Sequence, residues 1–531
     1  VRRAPIALAL LVTAGLWLPS LAFGAENRIS AQQATRIAAK DPEVVKERRE
    51  NGALTHSANL VDGSWEVGWF TEDKEVALAI VDPHSGEVRE SWTGYQVAWK
   101  MARGYSGAFG HKLNAPYVFL PLCALFLVGL VDWRRRRRVA NLDLLVLLGF
   151  GVSNFFFNRA EIGVSVPLQY APLLYLFARA LWIGIRGRGE GVRPIWPASW
   201  LLIAALFLMG LRVGLNMADS GVIDVGYAGV VGADRIANGD ALYGNFPTDV
   251  SQGDTYGPVN YYAYVPFERI WPWSGTWNDL PAGHGAAVFF DLATFALLFL
   301  LGRRVRPGPA GKRLAATLAF GWAAYPYTAY ALLSNSNDTL VALFLVATLL
   351  ALARPAARGT MAALATFTKF APVVLLPMLA TYGAKRWRFV LAFAATAFAV
   401  MLWPSIDPGL HTFYERTIAY QAGRDSPFSI WGQVPALEPL RIAILVGVAF
   451  LALILAFRPK EKKLPQVAAL GAALLIGVQL TMHHWFYLYI VWFYPLLLLA
   501  FTAGQAAILH NGQKLGSKSS ISHYHGEFSG E

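Results

Sequence analysis

PYVFLPLCALFLVGLVDWRRRRR, residues 116–138, decides the fold. From Pro116 to Trp133 the only charge is Asp132, and five arginines follow at once. An apolar run of this length is what a helix needs to cross the hydrocarbon of a bilayer, about 20 residues. A basic cluster directly behind such a run marks its cytoplasmic flank. Runs of the same kind recur as far as Phe501, separated by short polar stretches. The composition agrees, with 55% hydrophobic and 15% charged residues in a chain of 531. Soluble globular, disordered, fibrous and small secreted classes are excluded by that balance. The net charge of +12 sits in short clusters between apolar runs, so it reads as topology and no nucleic-acid partner is expected. One cysteine, Cys123, rules out an intramolecular disulfide and a cysteine-based zinc site.

With residues 134–138 inside, the spans can be followed in both directions. Residues 142–157 lead out, 166–185 return to the basic RGRGEGVR, and 196–216 lead out to a long external loop, 217–283. Residues 284–301 come back to RRVRPGPAGKR, 314–333 go out to SNSND, and 339–353 return to RPAARG. The alternation then fails. Residues 360–383 have basic flanks at both ends: Arg354 and Arg358 before, Lys385, Arg386 and Arg388 after. A single crossing would put one cluster outside, and 24 residues are too few for two crossings. The segment therefore reads as a re-entrant helical hairpin with Lys369 and Pro372 near its tip, a form that survives at membrane depth when buried in protein. Residues 389–404, 439–457, 464–482 and 485–503 complete about eleven transmembrane helices.

Ahead of the spans, residues 5–23 are apolar after Arg2 and Arg3 and are followed by small residues, as in a secretory signal cleaved near Gly24 or an uncleaved anchor. Residues 26–112 read as a small extracytoplasmic α+β module with a helix over 30–40 and strands over 64–70, 76–82 and 87–92. Trp65, Trp69 and Trp92 are expected to form its aromatic core. The stretch VALAIVDPHSGEVRESWTG, residues 76–94, resembles the PepSY-like modules that bacteria place outside the membrane. Residues 113–195 add N-terminal transmembrane helices, 196–503 form the core, and the polar residues 504–531 are expected to be a disordered cytoplasmic tail.

The external loop 217–283 is acidic and rich in Gly, Tyr and Pro. Carboxylates at the outer surface, with cations nearby, suit chemistry between a lipid phosphate, which needs positive partners, and a sugar hydroxyl, which needs a base. Tyr and Trp can stack on sugar faces. Lys369 stands out because a lysine in an apolar stretch costs ~2.5–3.5 kcal/mol on insertion scales unless it faces a cavity or a partner. Arg416, Arg424, His483 and His484 are the other cations near the outer ends of spans.

VIDVGYAGVVGA (222–233), the GxxLYG at 239–244 and YGPVNYYAYVPF (256–267) are followed by SNDTLVALFL (336–345) and TKFAPVVLLPML (368–379). Then come RTIAYQAGRDSPFSIWGQ (416–433) and HHWFYLYIVWFYP (483–495). In this order they resemble the GT-C superfamily of polyprenyl-phosphate-sugar-dependent glycosyltransferases, and within it the family 87 mannosyltransferase-like proteins. The additional N-terminal spans and the PepSY-like module depart from that pattern.

The resemblance implies an all-α polytopic, GT-C-like membrane protein of about eleven helices plus a re-entrant hairpin. It implies transfer of a hexose, mannose by family, from a polyprenyl-phosphate-sugar donor to an extracytoplasmic glycan or glycolipid acceptor at a bacterial cytoplasmic membrane. Asp224 is implied as the general base of an inverting reaction. Asp254, Tyr256, Lys369, Arg416, Arg424, His483 and His484 are implied as substrate-binding residues. A monophosphate leaving group can be neutralised by protein cations, so neither a metal nor another cofactor is expected. Each residue also has a simpler role open to it: Asp224 as a helix cap, Asp254 as a turn residue, Lys369 as a structural ion-pair partner, His483 and His484 as interfacial polar groups, Arg416 and Arg424 as solvated cations. Asn335 and Asp338 are expected to cap the helix that follows them.

Two other classes compete. A transporter, or a flippase- or polymerase-type protein handling lipid-linked polymers, would also use many spans and a broken hairpin. Transporters usually carry an internal repeat, and none is visible at the level of spans. A PepSY-linked haem or flavin reductase would need facing histidines within the spans, and His284, His483 and His484 all lie at outer ends.

Overall fold

The computed structural model describes residues 29–61, 63–72, 74–103, 111–187, 189, 191–424 and 426–503. The expected signal segment and the expected disordered tail lie outside the described residues. The chain divides into two compact units, Val1–Gly104 and Tyr105–Glu531.

In the first unit, two helices cover one face of a four-stranded antiparallel sheet. Ser30 and Gln33 start the helix Ala31–Ala38 by a reciprocal capping box, each side chain bonded to the other's backbone N–H. Asp41 caps Pro42–Asn51, whose N–H of Glu43 it accepts at 3.0 Å, and Gly52 ends that helix at φ 77°. The strands β1 (Thr55–Val61), β2 (Ser64–Phe70), β3 (Glu75–Val81) and β4 (Val88–Thr93) pair in sequence order.

The expected helix and three of these strands are present. The second helix and β1 were not legible in the sequence. Pro42–Asn51 buries only Val44, and β1 is an edge strand exposed along most of its length, so neither carries the apolar periodicity that identifies an element. Ala34, Ala38, Val44, Val67, Trp69, Ala77, Ala79 and Val81 form the core, with Trp65 packed against it. Trp92 does not join them. It faces the other side of the sheet, where the Arg103 guanidinium lies 5.9 Å from its ring centroid.

The second unit is helical. Among the described residues six helices are long and apolar enough to cross a membrane: Val139–Phe157, Ile162–Arg186, Ala198–Ala218, Pro281–Val305, Arg386–Gly423 and Pro435–Phe457. Arg386–Gly423 and Pro435–Phe457 present large apolar side chains outward, Val390, Leu391, Phe398, Val446 and Phe450 among them, as a lipid-facing surface requires. The remaining expected spans coincide with shorter helices. Pro116–Leu130 packs at the side of the unit, while Asp338–Leu350, Leu464–Gln479 and Ile490–Ala503 are buried almost all round. A helix that is apolar on every face is buried in a protein core or spans a membrane, and sequence periodicity does not separate the two. The expected span 314–333 is divided, because Tyr325 is extended and Pro326 opens a new helix, Pro326–Leu333.

Residues 355–381 run out and back. Pro355–Thr366 forms the first arm, the chain turns at 367–370, and a 3₁₀ turn Ala371–Leu375 leads into Leu376–Thr381. Arg358 Nη2 donates to Tyr382 O at 3.0 Å, so the two ends meet at one level.

Inside the bundle, Arg212 of Ala198–Ala218 and Asp291 of Pro281–Val305 pair at 2.8 Å, and Trp322 Nε1 donates to the same carboxylate at 2.9 Å. Charges at such depth persist when paired with each other and with hydrogen-bonding neighbours. This pair, with Trp322, fastens three helices together.

A candidate active site around Asp224 and the Lys369–Asp338 pair

Asp224 is the first residue of the helix Asp224–Asn238, which the extended Ile223 introduces. A carboxylate in the first turn of a helix is favoured by the backbone dipole. The helix start is held by the polar loop of residues 334–337. Ile223 N donates to Ser334 O at 3.2 Å, and Asn337 Nδ2 donates to Val225 O at 3.4 Å. Asn335 sits at φ 48° and donates to Ser220 Oγ and Gly221 O, while Asn216 Nδ2 donates to its Oδ1 at 2.7 Å. Gly226 is required by this closeness, since a Cβ there would lie 2.2 Å from Asn335 O.

The Asp224 side chain is exposed, yet protein surrounds it and it interacts with Arg424, Lys369 and Asp338. Both are true of a carboxylate in the wall of a recess. Burial pushes this carboxyl above its usual range, Arg424 and Lys369 oppose that, and Asp338 adds to it.

Lys369 lies at the tip of the hairpin, 6% exposed. Its ammonium is 2.5 Å from Asp338 Oδ1 and faces the rings of Tyr256, Trp492 and Tyr489 at 5.1, 5.3 and 5.4 Å. Trp492 Nε1 donates to the same oxygen of Asp338 at 2.8 Å. Asp338 Oδ2 is buried without a hydrogen-bond partner. The cage is closed by the close approach of loop and hairpin: Gly257 N donates to Thr368 O at 3.2 Å and Val259 N to Phe367 O at 3.0 Å. Only glycine fits at 257, because a Cβ would lie 2.0 Å from Phe367 O. Cation–π contact and a carboxylate together allow a lysine to remain charged out of bulk water.

His484 interacts with Arg424 and Lys369 from a third side. Burial first, and then those two positive charges, hold its imidazole well below its usual range, so it is neutral at neutral pH. Its Nδ1 is 2.9 Å from Ser426 Oγ. Burial and the nearby Asp224 carboxylate keep the Tyr256 phenol protonated.

Of the residues singled out from the sequence, Asp224, Tyr256, Lys369, Arg424 and His484 therefore converge. The other three are engaged elsewhere. Asp254 is fully buried and held by Arg416 in a two-point pair, Nε to Oδ2 at 2.7 Å and Nη2 to Oδ1 at 2.6 Å, and it also accepts Gly244 N at 2.7 Å. His483 turns away to Glu438 Oε2 at 2.9 Å, on a carboxylate that Arg441 also grips.

Asn335 and Asp338 do not cap the helix Asp338–Leu350. The cap residue is Asn337, without a side-chain bond, because Asn335 is consumed by Asn216 and Ser220 and Asp338 by Lys369 and Trp492. Asp338, Tyr489 and Trp492 are the site residues that sequence reasoning missed. The signal for Asp338 was Lys369 itself: a lysine in an apolar stretch calls for a carboxylate, and Asp338 opens the preceding apolar run. Among the described residues no three His, Cys, Asp or Glu side chains stand close enough to hold a metal ion.

This arrangement offers a reachable carboxylate to accept a proton, fixed cations to neutralise an anion, and aromatic faces against which a ring can lie. No protein-family model and no curated protein matches the chain.

Proposed function

We propose that the protein is a membrane glycosyltransferase that moves a hexose, mannose by family resemblance, from a polyprenyl-phosphate-sugar donor to an extracytoplasmic glycan or glycolipid acceptor. The observation that carries this reading is the accessible carboxylate of Asp224 beside Lys369 and Arg424. In the proposed reaction the acceptor oxygen attacks the anomeric carbon from the face opposite the phosphate. Its proton passes to Asp224, the carbon–oxygen bond to phosphate breaks, and polyprenyl phosphate leaves with the electron pair. One displacement inverts the anomeric centre, through an oxocarbenium-like transition state.

Charge grows on the departing phosphate, so fixed cations lower the barrier there. Lys369 and Arg424 fill that role. A neutral His484 can donate one hydrogen bond to the phosphate, and Tyr256 can stack on the sugar. Asp254 and Arg416 instead clamp the loop that carries Tyr256. In this reading the shorter apolar helices join the six long ones to give the eleven spans, the basic loops face the cytoplasm, and Asp224 opens outward from a bacterial cytoplasmic membrane.

The test is incubation of membranes holding the full chain with radiolabelled polyprenyl-phosphate-mannose, and identification of the labelled product. Label transfer by the native chain and none by Asp224→Asn supports the proposal. Equal labelling by both, or none by either under conditions where a known transferase works, rejects it.

A further inference from the structure

At the end of the helix Asp338–Leu350 remote from Asp338, the bundle forms a half-open cavity of about 780 Å³. Thirteen residues separate the two ends, about 20 Å of helix. Arg354, Arg358, Lys385, Arg388, Lys462 and Lys463 line this cavity, contributed by three separate segments, and no carboxylate lines it. None of the six makes a salt bridge among the described residues.

Three helices begin here as well: Pro355–Thr366, Arg386–Pro404 and Leu464–Gln479. Their cap residues are Arg354, Lys385 and Lys463; none of these cap side chains accepts an N–H from its helix, Gln466 Oε1 accepts only the Lys463 N–H at 3.1 Å, and no acid stands in their first turns. This reverses the usual chemistry of a helix start, where Ser, Thr, Asp or Asn accepts the free N–H groups and acids complement the dipole. Arg358 is 1% exposed. Its Nη atoms donate to Leu352 O and Tyr382 O, its guanidinium lies between the Tyr382 and Phe389 rings, and its Nε is buried without a partner.

The positive-inside rule accounts for cations on one face of the bundle. It does not account for six of them converging on one concavity with a buried arginine and three helix starts that lack a hydroxyl or acidic cap residue. Repulsion among these charges, and between them and the helix dipoles, is relieved by an anion in the cavity.

We propose that this cavity binds a phosphate-bearing ligand, the headgroup of an anionic lipid. Helix N-termini with arginine and lysine around them are the donors that a phosphate oxyanion takes. The space is far larger than a bare phosphate fills. The neighbouring Trp387 and Phe457 are 62% and 64% exposed on helices whose outer faces are apolar, so the rim continues into a lipid-facing surface. An amphipathic tryptophan at that position is typical of the membrane interface. Inorganic phosphate shares the headgroup's chemistry without its tail, which separates a lipid source from a water-borne one. The site is independent of the chemistry proposed at Asp224.

The experiment uses the full-length protein in phosphatidylcholine nanodiscs. Binding of tail-labelled phosphatidic acid is measured in one arm and of inorganic phosphate in the other. Lys385→Gln/Arg388→Gln/Lys463→Gln, all at exposed positions, removes three cations without touching Arg358. Arg135→Gln/Arg136→Gln/Arg137→Gln removes as many from the basic run 134–138. Saturable phosphatidic acid binding by the native chain, weakened about a hundredfold or more by the cavity variant and unchanged by the other, is the expected result. Saturable inorganic phosphate with no preference for phosphatidic acid would keep the phosphate site and overturn the lipid source. No saturable binding in either arm, or equal losses in both variants, overturns the proposal.

Discussion

The ammonium of Lys369 and the carboxylate of Asp338, 31 residues apart in sequence, meet at 2.5 Å inside a cage of three aromatic rings. Removing either partner leaves the other as a buried charge, which costs about 3–5 kcal/mol, whereas replacing both is far milder. Lys369→Met and Asp338→Asn should each lower the denaturation midpoint of the detergent-solubilised protein, and the double variant should recover most of the loss. Turnover should stay low in all three. A double variant that regains both stability and turnover would make the pair purely structural and move the phosphate site to Arg424.

Asp224→Asn keeps shape and removes basicity. Turnover should fall by about 10²–10⁴-fold while the protein stays folded, as read by labelled-sugar transfer and by circular dichroism. Loss of folding in this variant, or near-normal transfer, would take the base away from Asp224.

The same residue sets a pH dependence. Its carboxyl is pushed above the usual value of 3.8, so the base form appears only as pH rises through that higher value, and turnover should climb there. The stability term has the opposite sign. Between the ordinary and the raised pKa the native state keeps a proton that the unfolded chain has lost, so stability falls as pH rises through the window. Asp224→Asn should remove that slope, measured as denaturation midpoint against pH.

Asp254 and Arg416 should separate cleanly from the residues of the recess. Asp254→Asn loses a charge-assisted, two-point contact, worth ~2–3 kcal/mol. The denaturation midpoint should drop, with turnover per folded molecule changing far less than in Asp224→Asn. A larger loss of turnover than of stability would place Asp254 in the chemistry.

Single cysteines at Ala357 and Ala384, in a chain with Cys123 replaced by alanine, should react with an impermeant thiol reagent from the same side of the membrane. In the proposed topology that side is the cytoplasm. Labelling of the two positions from opposite sides would mean that residues 360–383 cross the bilayer.

The sequence made Lys369 conspicuous because a charged residue interrupts an apolar stretch, and the hairpin conspicuous because basic residues flank it twice. Both signals are local. Asp338 stood in plain view but in a setting, Asn-Asp before an apolar run, that describes any helix start, so only its partner across the bundle gives it meaning. The pairing of Arg416 with Asp254 spans 162 residues and leaves no trace in periodicity or composition. Adjacent histidines offer no hint that His483 turns to Glu438 and His484 to Ser426. Among the helices, Leu464–Gln479 and Ile490–Ala503 carry no stripe that tells a protein-facing side from a lipid-facing one, because being packed by protein and being solvated by lipid select the same residues.

The bond from Arg358 to Tyr382 O fixes where the out-and-back segment begins and ends. An element that departs and returns at one level adds nothing to the parity of crossings. In the proposed topology, shortening or lengthening it leaves every later helix pointing the way it did, and Lys369 is the one charged group of the recess that it carries. The segment that carries the most deeply placed cation of the site is thus also the one that can be rebuilt without turning the rest of the chain over.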